Sequence, residues 1–162
     1  MSNIQYSNEK KAKQFLFGVA FNWLDGKKGV MTANDVKGAL HVATPRAFGG
    51  EGADWSPEHL LLGAISSCYM STYLSFSSKA GIAISHLECD AKGQIALADG
   101  KYKFMRIDVF PKIYITAATM QEKANQAMLL TQQYCLVANS IDAEIVYHGE
   151  VLPDAHPRGL FQ

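Results

Sequence analysis

Residues 56–81 read SPEHLLLGAISSCYMSTYLSFSSKAG, and no other stretch limits the possible folds as strongly. Ser56 is a favoured N-cap, and Pro57 suits the first helical turn, where its missing N–H costs nothing. Glu58 sets negative charge against the positive end of the helix dipole. After it, apolar residues from Leu60 to Phe76 fall nearly all round a helix. A helix without a polar face is either packed on by other elements or spans a membrane. Ser66, Ser67, Ser71, Thr72 and Ser75 interrupt the run, and spanning takes about 20 consecutive apolar residues. The stretch therefore predicts a buried central helix, closed by Gly81, with Cys68 at its middle.

A chain of 162 residues is enough for one domain with a full core, and nothing in it reads as a linker or internal repeat. The single domain is expected over 1–162, with a loose segment at 1–12 and an irregular tail at 153–162. Hydrophobic residues make up 48% and charged residues 19%, which excludes a disordered chain. The 15 acidic and 15 Lys or Arg residues cancel, so there is no electrostatic footprint for nucleic acid or an acidic membrane. The opening MSNIQYSNEKKAKQ has no apolar stretch of signal-peptide type. A cytoplasmic location is expected, where thiols stay reduced and three cysteines are not a structural disulfide framework.

Taken in order, residues 14–23 (QFLFGVAFNW) are aromatic and β-branched and predict a strand. The turn chemistry of Asp25–Gly29 leads into a second strand at 30–32. A third is predicted at 36–42, where apolar and polar residues alternate. The Gly-rich loop TPRAFGGEGADW then enters the central helix. Long alternating stretches at 85–97 and 102–115 are joined by Asp99-Gly100, a strong hairpin signal. A second helix is predicted over 119–134, capped by Thr119 with Glu122 at the capping-box position. Cys135 follows it, and residues 143–151 predict a closing strand. Strands linked by hairpins, with helices between the groups, give an α+β fold with antiparallel sheets in the order βββ-α-ββ-α-β.

For Cys68 and Cys135, 67 residues apart, one reading is core packing, since free cysteine is among the most buried residue types. The other is a nucleophilic and resolving thiol pair that cycles between dithiol and disulfide. Cys89, in an alternating strand, reads as packing. A thiol in mid-helix gets no help from a helix N-terminus, and burial raises its pKa. Any cation must come from another element, and the sequence offers Lys27, Lys28 and Arg46. Glu58 stands ten residues before Cys68, about 15 Å along a helix, so one helix cannot join their side chains. The five histidines lack i,i+4 or CxxC company, so no metal site is expected. Nucleophile-elbow, Walker-type and dinucleotide motifs are absent, and no cofactor is expected.

The segment TPRAFGGEGADWSPEHLLLGAISSCYMSTYL resembles the signature of the OsmC/Ohr family of osmotically induced and organic hydroperoxide resistance proteins. The matching residues are Pro45, Gly49, Gly50, Pro57, Glu58 and Cys68, with Cys135 in CLVANSI as the second cysteine. The resemblance covers residues 14–152 and implies the OsmC-like fold as an intertwined homodimer with active sites at the interface. It implies a thiol peroxidase in which Cys68 attacks an organic hydroperoxide, Cys135 resolves the sulfenic acid as a disulfide, and an external thiol or dithiol reduces it. Lys27 stands where that family commonly has an arginine, and it lacks the planar fork of a guanidinium. Leu136 replaces the usual proline after the second cysteine, and Ala138 a frequent serine. A slow redox sensor or small-molecule-binding protein of the same fold is the alternative. A cysteine acyltransferase or hydrolase needs a base near Cys68, and no histidine is nominated by position.

Overall fold

A computed structural model of the chain describes residues 13–154. The loose segment expected at 1–12 and most of the expected tail lie outside them. The chain divides into two compact units, Met1–Ser56 and Pro57–Gln162.

In the first unit, β1 (Ala20–Asp25), β2 (Lys28–Thr32) and β3 (Leu40–Ala43) form an antiparallel sheet in that order. Gly26 (φ +45°) and Lys27 make the two-residue turn between β1 and β2. The strand expected from residue 14 begins only at Ala20. Ala20 pairs with Thr32, where β2 ends, so earlier residues meet no partner strand. The third strand likewise starts at Leu40 rather than at residue 36, because residues 34–38 turn and Gly38 has φ +91°. Phe21, Trp23 and Leu24 on β1, with Phe15, Leu16, Phe17 and Val19 before it, are all exposed.

The second unit opens with α1 (Pro57–Ala80), left through Gly81 at φ +69°. Its burial is confined to one stripe, Ile65, Tyr69, Tyr73 and Ser77, at the four-residue spacing that shares a helix face. Met70 and Leu74 stay exposed. The expected all-round burial is thus not met within one chain.

The stripe packs on a hairpin of two 15-residue strands, β4 (Ile84–Ala98) and β5 (Lys101–Ile115). Asp99 (φ 51°) and Gly100 (φ 73°) turn the hairpin, the two positive φ values that a tight hairpin loop requires. The register skips Met105, since Gln94 pairs with Arg106 and Ile95 with Phe104. The bulge reverses the alternation, so Phe104 joins Ile107 and Val109 in one apolar cluster.

The second helix, α2 (Gln121–Tyr134), starts two residues later than expected. Thr119 lies in a 3-10 turn, Ala118–Met120, and does not cap α2; Met120 holds that position with no side-chain cap. The single strand expected at 143–151 is two, β6 (Glu144–Tyr147) and β7 (Glu150–Pro153). Both run parallel to β5, so this sheet is mixed rather than wholly antiparallel. The break has a cause in β5 itself. It falls opposite Pro111, which has no N–H to donate to a ladder. Gly149 crosses the gap where a Cβ would lie 2.8 Å from Met128 Cε and 3.3 Å from Pro111 Cγ. The α+β class and the order of elements otherwise follow the sequence.

The two faces of β5 differ. Ile107, Val109, Pro111, Ile113 and Ile115 are buried, each worth roughly 1.5–3 kcal/mol for a full-sized apolar side chain. On the other face, Arg106 grips Asp108 through two nitrogens (2.8 and 3.0 Å), and His148 Nε2 lies 2.6 Å from the same carboxylate. Arg106, and His148 after it, hold the Asp108 carboxyl well below the usual carboxylate range.

Candidate active site

Cys68 sits on α1 one residue before Tyr69 of the buried stripe, and is half-buried. Cys135 caps α2, where the chain leaves the helix (φ −66°, ψ 107°) while its N–H still bonds Thr131 O at 2.9 Å. Its side chain is 0% exposed. The fold brings these two thiols within hydrogen-bond reach of each other, although 67 residues separate them. Both are free thiols here.

Backbone amides complete the pair. A short 3-10 turn, Ala138–Ser140, follows Cys135 and aims its first N–H groups back at the sulfurs. Val137 N donates to Cys68 Sγ at 3.5 Å, and the N–H groups of Ala138 and Val137 also reach Cys135. Asn139 N closes the turn on Cys135 O at 3.0 Å. On Cys135 two effects oppose one another. Burial pushes the thiol up and the Ala138 amide pulls it down, with Cys68 adding a further upward push. Burial is the larger, so the direction is up.

Cys89 packs in the core, as the sequence implied, but it is not isolated. It faces the core from β4, packs against both apolar clusters, and lies in electrostatic range of Cys135. Burial pushes its thiol up to about 12, helped by Asp90 and Cys135 and countered by a hydrogen bond with Ser66. Tyr147 lies in range of all three cysteines, and burial pushes its phenol up to about 12. Oη of Tyr69 and of Tyr147 are both buried without a hydrogen-bond partner, an omission that costs about 1–3 kcal/mol each.

Glu58 is on the first turn of α1, and its Oε2 is buried with no hydrogen-bond partner. Lys27 belongs to the first unit. Its Nζ donates to Gly49 O at 2.9 Å and to Phe48 O at 3.3 Å, so the cation is fastened to the Gly-Gly loop. Gly50 is obligatory there, because a Cβ would strike the Thr44 carbonyl. The other two cations pair elsewhere, Lys28 with the Glu51 carboxylate and Arg46 Nε with Glu51 O at 3.0 Å. Among the described residues no three His, Cys, Asp or Glu side chains converge as a metal-ligand set. No helix among them is long and apolar enough to cross a membrane.

The family profile described as OsmC-like protein matches residues 50–148, more than half of the chain. The chain belongs to the OsmC-like family. Three similar proteins are all distant in sequence. The uncharacterized protein YmaD of Bacillus subtilis is 20% identical over 132 residues, which cover 80% of this chain and 88% of that protein. An OsmC-like protein of unknown function from Vibrio cholerae superposes with a TM-score of 0.76 at 17% identity, over 85% of this chain and 100% of that one. An organic hydroperoxide resistance protein from Elizabethkingia anophelis gives 0.67 at 20%, over 88% and 99%.

Within this OsmC-like chain, sequence reasoning named Cys68, Cys135, Glu58 and Lys27, and noted Ala138 without its amide, but missed Val137, Tyr69 and Tyr147. The only available signal was the turn-forming Ala138-Asn139-Ser140 straight after a helix-ending cysteine. Amide and phenol directions leave no mark in sequence. A buried thiol raised from 9.0 to about 12 contributes stability fully present below pH 9 and lost as pH rises towards 12. Denaturant unfolding at about pH 8 and about pH 10.5 is expected to show this loss, and Cys89→Ala is expected to shrink it. An equal loss in the variant assigns the alkaline sensitivity to other groups.

Proposed function

We propose that the chain is a thiol-dependent peroxidase that reduces organic hydroperoxides. The observation that carries this reading is the Cys68–Cys135 pair, with an amide donor on Cys68 Sγ. The Cys68 thiolate attacks the distal oxygen of the hydroperoxide, the O–O bond breaks, and the alkoxide leaves as an alcohol after taking a proton. Cys68 is then a sulfenic acid. Cys135 attacks its sulfur, an S–S bond forms, and water departs. An external thiol or dithiol reduces the disulfide by exchange. No cofactor or metal enters these steps, no nucleic acid or membrane takes part, and the reducing cytoplasm is the compartment that suits them.

On exposure of reduced protein to one equivalent of cumene hydroperoxide, intact mass is expected to fall by about two mass units, with the lost thiols mapped to Cys68 and Cys135. Cys135→Ser should stop at a sulfenic acid that dimedone traps, and Cys68→Ser should leave the peroxide untouched. Stable thiols, or oxidation confined to Cys89, defeat the reading. A single oxidation without dithiol-driven turnover favours the alternative, a redox sensor of the same fold. The capture of Lys27 by two carbonyls is the observation on that side.

Lys27 takes the cationic role by family resemblance, and Glu58, at the start of α1, the role of orienting a cation. The buried, unpartnered Oε2 of Glu58 fits an acceptor reserved for a cation. Lys27→Met is expected to slow Cys68 oxidation about tenfold or more, while Lys27→Arg keeps or raises the rate, since a guanidinium adds paired donors. Equal rates in all three proteins remove Lys27 from the chemistry.

We also infer a homodimer. Seven large apolar side chains from Phe15 to Leu24 are exposed, more than a monomer's surface usually leaves uncovered. Sedimentation at twice the chain mass is the expected result, and sedimentation as a monomer refutes it.

A further inference from the structure

The mechanism above makes no use of the two partnerless phenols. Tyr69 is 0% exposed, and its ring lies 5.6 Å from that of Tyr147, tilted by 35°. The register explains why they meet beside the thiols. Val109 and Pro111 of β5 face the core, Tyr147 pairs with Val109 from one side, and Cys89 pairs with Pro111 from the other. The α1 stripe lays Tyr69 over this row, and Cys135 closes it from the end of α2. Phenylalanine fills the same volume without orphaning a hydroxyl in the core. A donor left unmade among thiols suits an acceptor that appears only during turnover.

We propose that the Tyr147 hydroxyl is the side-chain hydrogen-bond donor to the Cys135 sulfur whenever that sulfur carries negative charge, with Tyr69 fixing the Tyr147 ring. The proposal rests on the peroxidase reading. Charge reaches Cys135 twice in that cycle. In resolution, the Cys135 thiolate attacks the Cys68 sulfenic sulfur, the S–O bond breaks, and hydroxide takes up the proton that Cys135 released. In reduction, an external thiolate attacks Cys68 Sγ, the S–S bond breaks, and its electron pair goes to Cys135. Both steps place a thiolate where burial opposes one. The groups facing it are Cys68 and Tyr69 from α1, Cys89 from β4, Tyr147 from β6, and the Val137 and Ala138 amides. None of these side chains is a formal cation, so hydrogen-bond donors must do the stabilising. The same burial keeps Tyr147 protonated and able to donate.

The test is Tyr147→Phe in the full-length chain. After one equivalent of cumene hydroperoxide, stopped-flow kinetics should show sulfenic acid forming at the wild-type rate. Disulfide formation should be about tenfold slower, the loss expected for a hydrogen bond to a charged group, and its pH midpoint should be higher. Thermal stability should be unchanged or increased, since an orphaned hydroxyl has gone. Tyr69→Phe should give the same signs with a smaller effect. A second readout does not depend on peroxide chemistry. A 13Cβ-cysteine NMR titration of the reduced protein should give Cys135 a higher pKa in Tyr147→Phe than in wild type. Unchanged resolution and an unchanged Cys135 titration overturn the proposal. Failure of the wild type to form a sulfenic acid overturns the peroxidase reading instead, and the titration then decides the phenol's role alone.

Discussion

The buried stripe of α1 is the constraint on which the rest depends. Ile65, Tyr69, Tyr73 and Ser77 recur at every fourth residue and are sealed against the β4–β5 hairpin and α2. Their fixed spacing sets the rotation of the helix about its own axis. Once Tyr69 points into the core, Cys68, the residue before it, turns to the edge of the stripe rather than to the sheet. That edge is where the chain emerges from α2. The pairing of Cys68 with Cys135 is therefore a consequence of core packing. Neither cysteine needs strained backbone to reach the other.

The same packing sets the electrostatic problem. An apolar surround raises the energy of a thiolate, and the fold answers with dipoles. The turn Ala138–Ser140 directs amide N–H groups at the sulfurs as a short helical start does at an anion. This arrangement needs no proline after Cys135. Leu136 leaves the chain free to turn, and it is Val137 N that reaches Cys68 Sγ.

What could be read in the sequence was whatever has a local physical cause. Pro57 and Gly81 mark the ends of α1, and Asp99-Gly100 marks the hairpin. What escaped reading depends on partners distant in sequence. Residues 14–19 have strand composition but no strand beside them, since β2 ends at Thr32. The closing strand divides because Pro111, over thirty residues earlier, interrupts the ladder it joins. Lys27 was legible as a cation, but its attachment to the carbonyls of Phe48 and Gly49 was not, because carbonyl directions follow from loop geometry. Cys89 looked alone along the chain and has company only across the core.

Charge distribution gives the last step of the synthesis. Among the described side chains that act on Cys135 there is no formal cation, and the fixed donors are the Val137 and Ala138 amides. Ion pairs such as Arg106–Asp108 lie on the outward face of β5, where salt and solvent weaken them. Around Cys68 and Cys135 the second unit thus sets short-range dipoles, which ionic strength hardly affects. A cation, where the chemistry calls for one, has to be supplied as a separate element. Lys27, in the first unit, is held by the carbonyls of Phe48 and Gly49 rather than by a carboxylate.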